Sequence, residues 1–189
     1  LELGPRCVGR VTFVQIAAPS RATIDDYRDY AARVRSLAAE INARYPDAKY
    51  PPLVLLVEHH EPDSVYEYLR ASDICMVTSL HDGMNLVAKE FVAARDDEQG
   101  VLILSQFAGA SRELPEALVV NPYDADQCAA ALQLGLTMPA DEQRDRMRFM
   151  RGVVREFNVH RWAGRMLLDA AVMRQRGRLR ASGDAPGRG

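Results

Sequence analysis

The segment Leu80-His81-Asp82-Gly83-Met84-Asn85-Leu86-Val87-Ala88-Lys89-Glu90 leaves an apolar run and enters a stretch of helical periodicity. This is the pattern of a ligand-binding turn. At the carboxyl end of a parallel strand the chain leaves the sheet, and Gly83 permits a tight bend or the close approach of a ligand. The helix that follows aims N–H groups without intrahelical acceptors at the same spot, and their partial positive charge suits a phosphate. Glu90 falls about one turn into that helix. There a carboxylate can accept hydrogen bonds from two neighbouring hydroxyls, as on a ribose, clear of the phosphates. Asp82 and Asn85 flank the bend as polar groups suited to sugar hydroxyls. Strand-glycine-helix turns are also common, and an Asp-Gly pair is more often plain turn chemistry. A second strand end, Ser105-Gln106-Phe107-Ala108-Gly109-Ala110-Ser111-Arg112-Glu113, repeats the design, and two such loops at one edge of a sheet point to a shared crevice.

Other reactive residue types fit less well. His59, His60 and His81 with Glu58 or Glu61 have the chemistry of metal ligands, but adjacent residues at a strand end point in different directions, so no metal is expected. His81 either donates to a sugar or fills the turn. His160, beside Trp162, reads as structural, and Met84, Met147 and Met150 read as packing. Neither Ser105 nor Ser111 lies in a G-x-S-x-G elbow, and Cys75 sits within an apolar run that should keep it inert. No residue reads as a general base or a covalent nucleophile.

Elements of two periods must position these residues. Apolar runs at 10–17 (RVTFVQIA), 53–58 (LVLLVE), 74–80 (ICMVTSL), 101–105 (VLILS) and 117–120 (ALVV) have strand length. Their continuous apolarity implies burial on both faces. Between the first two, Ile24, Tyr27, Val34, Leu37, Ala38 and Ile41 recur at helical spacing, and Pro46 and Pro51-Pro52 close that helix. Residues 63–70, 85–95 and 125–138 read as further helices, the last with Asp124 as N-cap. The alternation specifies an α/β fold, a Rossmann-like, mostly parallel sheet with helices on both faces. Residues 139–178 follow as C-terminal helices, broken near Phe157-Asn158 and anchored by Trp162, with their arginines on a solvated face. The organisation expected is thus a domain over 1–138, helices packed on it over 139–178, and a disordered tail over 179–189.

Composition narrows the partners. The 189 residues are 48% hydrophobic, enough for one sizeable core, and 24 basic side chains nearly cancel 26 acidic ones. No net field advertises a nucleic acid or an anionic membrane. Cys7, Cys75 and Cys128 are odd in number and lack a CxxC pair, which argues for a reducing, cytoplasmic setting. No apolar run approaches the roughly 20 residues a membrane helix needs. The chain opens at Leu1 in mid-pattern, so further residues are expected upstream.

The strings DGMNLVAKEFVAA, VLILSQFAGASREL and VVNPYD, in that order and spacing, resemble the C-terminal domain of trehalose-6-phosphate synthases, from about Val11 through Trp162. Those are retaining glycosyltransferases of the GT-B type, with two facing Rossmann-like halves and no metal or other cofactor. The resemblance implies transfer of glucose from UDP-glucose to glucose 6-phosphate. It implies that Asp82 works at the reaction centre by holding glucose hydroxyls, and that Gly83, Met84 and Asn85 line the glucose and diphosphate. The amides of Leu86 and Val87 would hold phosphate oxygens and Glu90 the ribose, with His60 and Val65 near the uracil. An aromatic or apolar residue is common at the position of His60. The family's arginine and lysine, in an RxDxxKG-type motif after the first strand of this domain, are not found here. The first strand and the acceptor-binding N-terminal domain are therefore expected to be missing, leaving this piece inactive alone and prone to aggregate or to bind a complementary fragment. A sister transferase acting on glycerol 3-phosphate or a cyclitol phosphate, and a non-catalytic donor-binding or regulatory module, remain as alternatives.

Overall fold

The computed structural model describes residues 7–18, 25–46 and 49–183. Strands and helices alternate as β1 (Phe13–Ala17), α1 (Asp25–Ala43), β2 (Leu53–Val57), α2 (Pro62–Ala71), β3 (Ile74–Val77), α3 (Leu86–Ala94), β4 (Val101–Ser105), a 3-10 turn (Gly109–Arg112), β5 (Leu118–Val120), α4 (Ala125–Thr137), α5 (Ala140–Glu156) and α6 (Val159–Gly183). Every strand pairing is parallel. The strands do not form one sheet, however. β1 pairs with β2, in register from Phe13 opposite Leu53 to Ala17 opposite Val57, and a separate sheet has the order β3-β4-β5.

β4 is the centre of the larger sheet and is buried at every residue. Because successive side chains of a strand point to opposite faces, it feeds two cores at once. Leu102 and Leu104 join Phe91 and Val92 of α3 and Met147 and Met150 of α5, while Val101 and Ile103 join Val120 and Met138 beside α4. Helices therefore cover both faces, which is why VLILS carries no polar alternation. The other strands correct the expectation of burial on both faces: β2 is half-buried throughout and Val14 of β1 is 43% exposed. Among the described residues each has a strand on one side, and α1 packs on β2. α1 is fixed there by Asn42, whose side chain both donates to the Leu53 carbonyl (2.9 Å) and accepts from its N–H (3.0 Å).

Arg95, 6% exposed at the end of α3, meets Asp97 at 2.9 Å and donates to the carbonyls of Arg70 and Ser72, fastening the turn that leads into β3. The arginines of the C-terminal third do more than face solvent. Arg151 donates to the Val92 and Ala93 carbonyls at 3.0 and 2.9 Å, satisfying the end of α3, and Arg148 pairs with Glu98 at 2.7 Å. Trp162 is not an anchor: it is 58% exposed, along with Met166, Leu167 and Leu168, because no described element lies over that face of α6. His160 is exposed as well, its N–H held by Asn158. The helix runs on to Gly183, into the stretch expected as tail. Residues 184–189 lie outside the described residues, as do Ile24 and the side chain of Tyr27.

Candidate functional site

The loops after β3 and β4 meet. Asp82 bridges Ala108 in parallel, the Asp82 N–H donates to the Phe107 carbonyl at 3.3 Å, Gly109 N–H donates to the Asp82 carbonyl at 3.0 Å, and Ala110 N–H donates to the Met84 carbonyl at 2.7 Å. The contact is so close that a Cβ on Gly109 would stand 2.1 Å from the Gly83 carbonyl oxygen. The glycine that the turn requires is therefore Gly109. A Cβ on Gly83 meets nothing within 4 Å, so its own conformational freedom is not what shapes the bend. The left-handed backbone falls instead on Asn85, at φ 67.

Asn85 is 8% exposed and organises the turn. Its side-chain oxygen accepts from Ala88 N–H at 2.9 Å, capping α3, and its amide donates to Asp82 Oδ2 at 2.8 Å and to Ser79 Oγ at 3.3 Å. Asp82 Oδ1 accepts from the N–H groups of Asn85 (2.9 Å) and Met84 (3.2 Å). The Asn85 amide first and the Met84 N–H second hold the Asp82 carboxyl below its ordinary value, against an upward push from desolvation that outweighs the Asn85 N–H contribution alone. Both residues expected to reach for sugar hydroxyls are thus also bonded to each other. Asparagine and aspartate at this spacing close a local ring.

The sign of the Asp82 shift fixes a pH dependence. A carboxyl depressed in the folded state adds stability above its unfolded pKa and loses it as the pH falls through the folded value. Wild type is expected to melt higher than Asp82→Asn at about pH 7, and the gap should close below about pH 4. Paired melting curves across that range measure it.

With Asn85 as cap, α3 starts at Leu86, and the N–H groups of Leu86 and Val87 lie in a first turn where no intrahelical acceptor exists. Their surroundings are open: Met84, Leu86 and Val87 are 41%, 60% and 43% exposed. Glu90, further along the first turns of the helix, is half-buried and has no hydrogen-bond or ion-pair partner among the described residues. The bend is therefore not sealed inside the protein. Lys89, the residue between, pairs with Glu113 at 2.7 Å and ties α3 to the loop after the 3-10 turn. Sequence reading passed over Lys89 because its partner comes from the other loop.

His60 lies elsewhere, at the end of β2, with its ring edge-on to Tyr68 at 5.8 Å. Its buried Nε2 has no hydrogen-bond partner and stands 3.9 Å from Glu58 Oε1. Val65 packs against the core cluster that includes Ala88 and Phe91. His59 approaches Glu61 at 3.5 Å, and His81 packs against Phe107, with 6.0 Å between ring centroids. The histidines thus turn to different neighbours. Phe107 in turn meets Tyr123 at 5.9 Å, so rings from the ends of β3, β4 and β5 stand in a row. Cys75 belongs to β3, an edge strand of its sheet, and burial pushes its thiol up to about 12. A separate open depression of about 480 Å³ is lined by Glu116, Asp141, Glu142, Asp145, Arg146 and Phe149, whose carboxylates would repel a diphosphate.

The sequence pattern of Glycosyltransferase family 20 matches residues 1–171. The chain belongs to that family. Within it, the chain is 44% identical over 170 residues to the trehalose-6-phosphate synthase of Klebsiella pneumoniae subsp. pneumoniae, a match covering 89% of this chain and 36% of that protein. The chain therefore spans only 36% of the length of this curated relative. Among solved structures, the E. coli enzyme bound with UDP-2-fluoro glucose superposes with a TM-score of 0.86 at 42% identity, over 89% of this chain and 38% of that one. The UDP-forming α,α-trehalose-phosphate synthase of Burkholderia xenovorans, in complex with glucose-6-phosphate, gives 0.81 at 41% identity, over 85% and 35%. The Rossmann-like fold of this family-20 member is thus shared with these solved members of the family. Among the described residues no helix is long and apolar enough to cross a membrane.

Proposed function

We propose that this chain is the nucleotide-sugar-binding part of an α,α-trehalose-phosphate synthase, which transfers glucose from UDP-glucose to glucose 6-phosphate with retention. The observation that carries this reading is Glu90, a carboxylate without a partner on the opening turns of α3, just beyond the exposed first-turn amides of Leu86 and Val87. That arrangement suits a diphosphate at the helix start and a ribose one turn on. Relatives with UDP-2-fluoro glucose or glucose-6-phosphate bound support the choice of substrates.

In this reading the amides stabilise charge that develops on the leaving diphosphate, and Asp82, Gly83, Met84 and Asn85 border the glucose. Asp82 serves the reaction centre through glucose hydroxyls, while its Oδ1 keeps the turn in shape. His60 and Val65 border the uracil. No metal or cofactor is called for. The acceptor is held by a facing N-terminal domain, since orienting two substrates and excluding water takes both sides of a cleft. This chain alone is therefore expected to bind donor without transferring glucose. The free cysteines fit a cytoplasmic setting.

Calorimetric titration tests the reading. Wild type is expected to bind UDP and UDP-glucose, and Glu90→Ala to weaken UDP at least about tenfold, the loss of hydrogen bonds to a charged group. Equal UDP affinity in the two proteins removes the ribose assignment. No UDP binding to wild type removes the donor site.

A further inference from the structure

The loop after β4 holds the start of α3 on both sides of its cap, Asn85. Ahead of the cap the ties are backbone bonds: Asp82 N–H donates to the Phe107 carbonyl at 3.3 Å, Gly109 N–H to the Asp82 carbonyl at 3.0 Å and Ala110 N–H to the Met84 carbonyl at 2.7 Å. Beyond the cap the tie is Lys89, whose Nζ stands 2.7 Å from Glu113 Oε2. The first-turn amides of Leu86 and Val87 lie between these two sets of ties.

The ion pair is better placed than most at a surface. The Lys89 side chain is 19% exposed and that of Glu113 43%, so water screens the pair less than a fully exposed one. Lys89 follows Ala88, which is fully buried, and Leu86 stands one helical turn before it on the same side of the helix. Glu113 is itself a fixed post. Its N–H donates to the Ala110 carbonyl at 3.0 Å, and the next residue, Leu114, is fully buried. A lysine on α3 thus reaches a carboxylate whose backbone belongs to the loop that already grips the bend.

We propose that Lys89 is a positioning residue for the donor phosphates: through its pair with Glu113 it sets the direction of the Leu86 and Val87 amides without touching the nucleotide. This role rests on the donor-site reading. Charge alone would give a different outcome. An ammonium attracts a diphosphate and a carboxylate repels it, so by charge the loss of Lys89 weakens binding and the loss of Glu113 strengthens it. Positioning makes both losses weaken it, because each breaks the same tie.

Calorimetric titration of the full chain with UDP separates these outcomes. Lys89→Met and Glu113→Ala are each expected to weaken UDP about fivefold, the upper range for a partly exposed pair, and the double variant no more than either alone. Lys89→Arg keeps the pair and should bind within about twofold of wild type. Amide exchange at Ala88 and Ala110, bonded on the two sides of the cap, should quicken by about the same fivefold in the first two variants and not in Lys89→Arg. Unchanged affinity in Lys89→Met, tighter binding by Glu113→Ala, losses that add in the double variant, or an equal loss in Lys89→Arg overturns the proposal and leaves the donor reading standing. Weaker binding with unchanged exchange also overturns it, because Lys89 then meets the phosphate itself. A wild type that does not bind UDP removes both.

Discussion

Gly109→Ala is expected to abolish detectable UDP binding and to lower the urea midpoint, although the substitution lies outside the turn proposed to meet the donor. The new methyl group would stand 2.1 Å from the Gly83 carbonyl oxygen and 2.9 Å from its carbon, so the two loops must part. Parting them breaks the bonds from Gly109 N–H to Asp82 and from Ala110 N–H to Met84, each of which contributes about 1 kcal/mol. A loss of about 2–3 kcal/mol follows, and the amides of Leu86 and Val87 lose their aim. Gly83→Ala is the control: its methyl group enters open space, and stability should change by less than about 1 kcal/mol. If Gly109→Ala binds UDP as wild type does, contact between the loops is not what positions the donor turn.

Asn85→Ala should have an effect of similar size by another route. It removes the cap on Ala88 N–H and the donors to Asp82 and Ser79, and leaves alanine at φ 67. Cap loss costs about 1 kcal/mol and the left-handed backbone about 1–2 more, or roughly 2–3 kcal/mol in all. UDP affinity should fall at least about tenfold, because the first turn of α3, the proposed phosphate site, frays. Thermal melts and calorimetry on one preparation separate the two effects. Lower stability with unchanged UDP affinity would confine Asn85 to a structural part.

Much of this was legible in the residues. VLIL is apolar at four consecutive positions, the pattern of a strand buried on both faces, and β4 occupies that place. The string from Asp82 to Glu90 contained its own cap and its own turn, because the Asp82–Asn85 bonds span three residues and need no distant partner. Proline placement likewise bounded α1, and the break at Phe157-Asn158 separated α5 from α6. Local chemistry was sufficient wherever the partners were near in sequence.

What the sequence by itself determined, then, was the order of the elements, the parallel α/β class and the hydrogen-bonded bend from Asp82 to Asn85, all properties of short-range pattern. Only the tertiary structure decided that Gly109, and not Gly83, is the glycine the turn cannot lose, that Lys89 reaches Glu113, and that Asn42 holds the start of β2. It also decided that Trp162 stays exposed and that the strands divide into two sheets. The physical reason is the same in each case. Hydrophobic pattern states which side of an element avoids water, but the group that covers it comes from a distant part of the chain, and its presence or absence is a fact of packing.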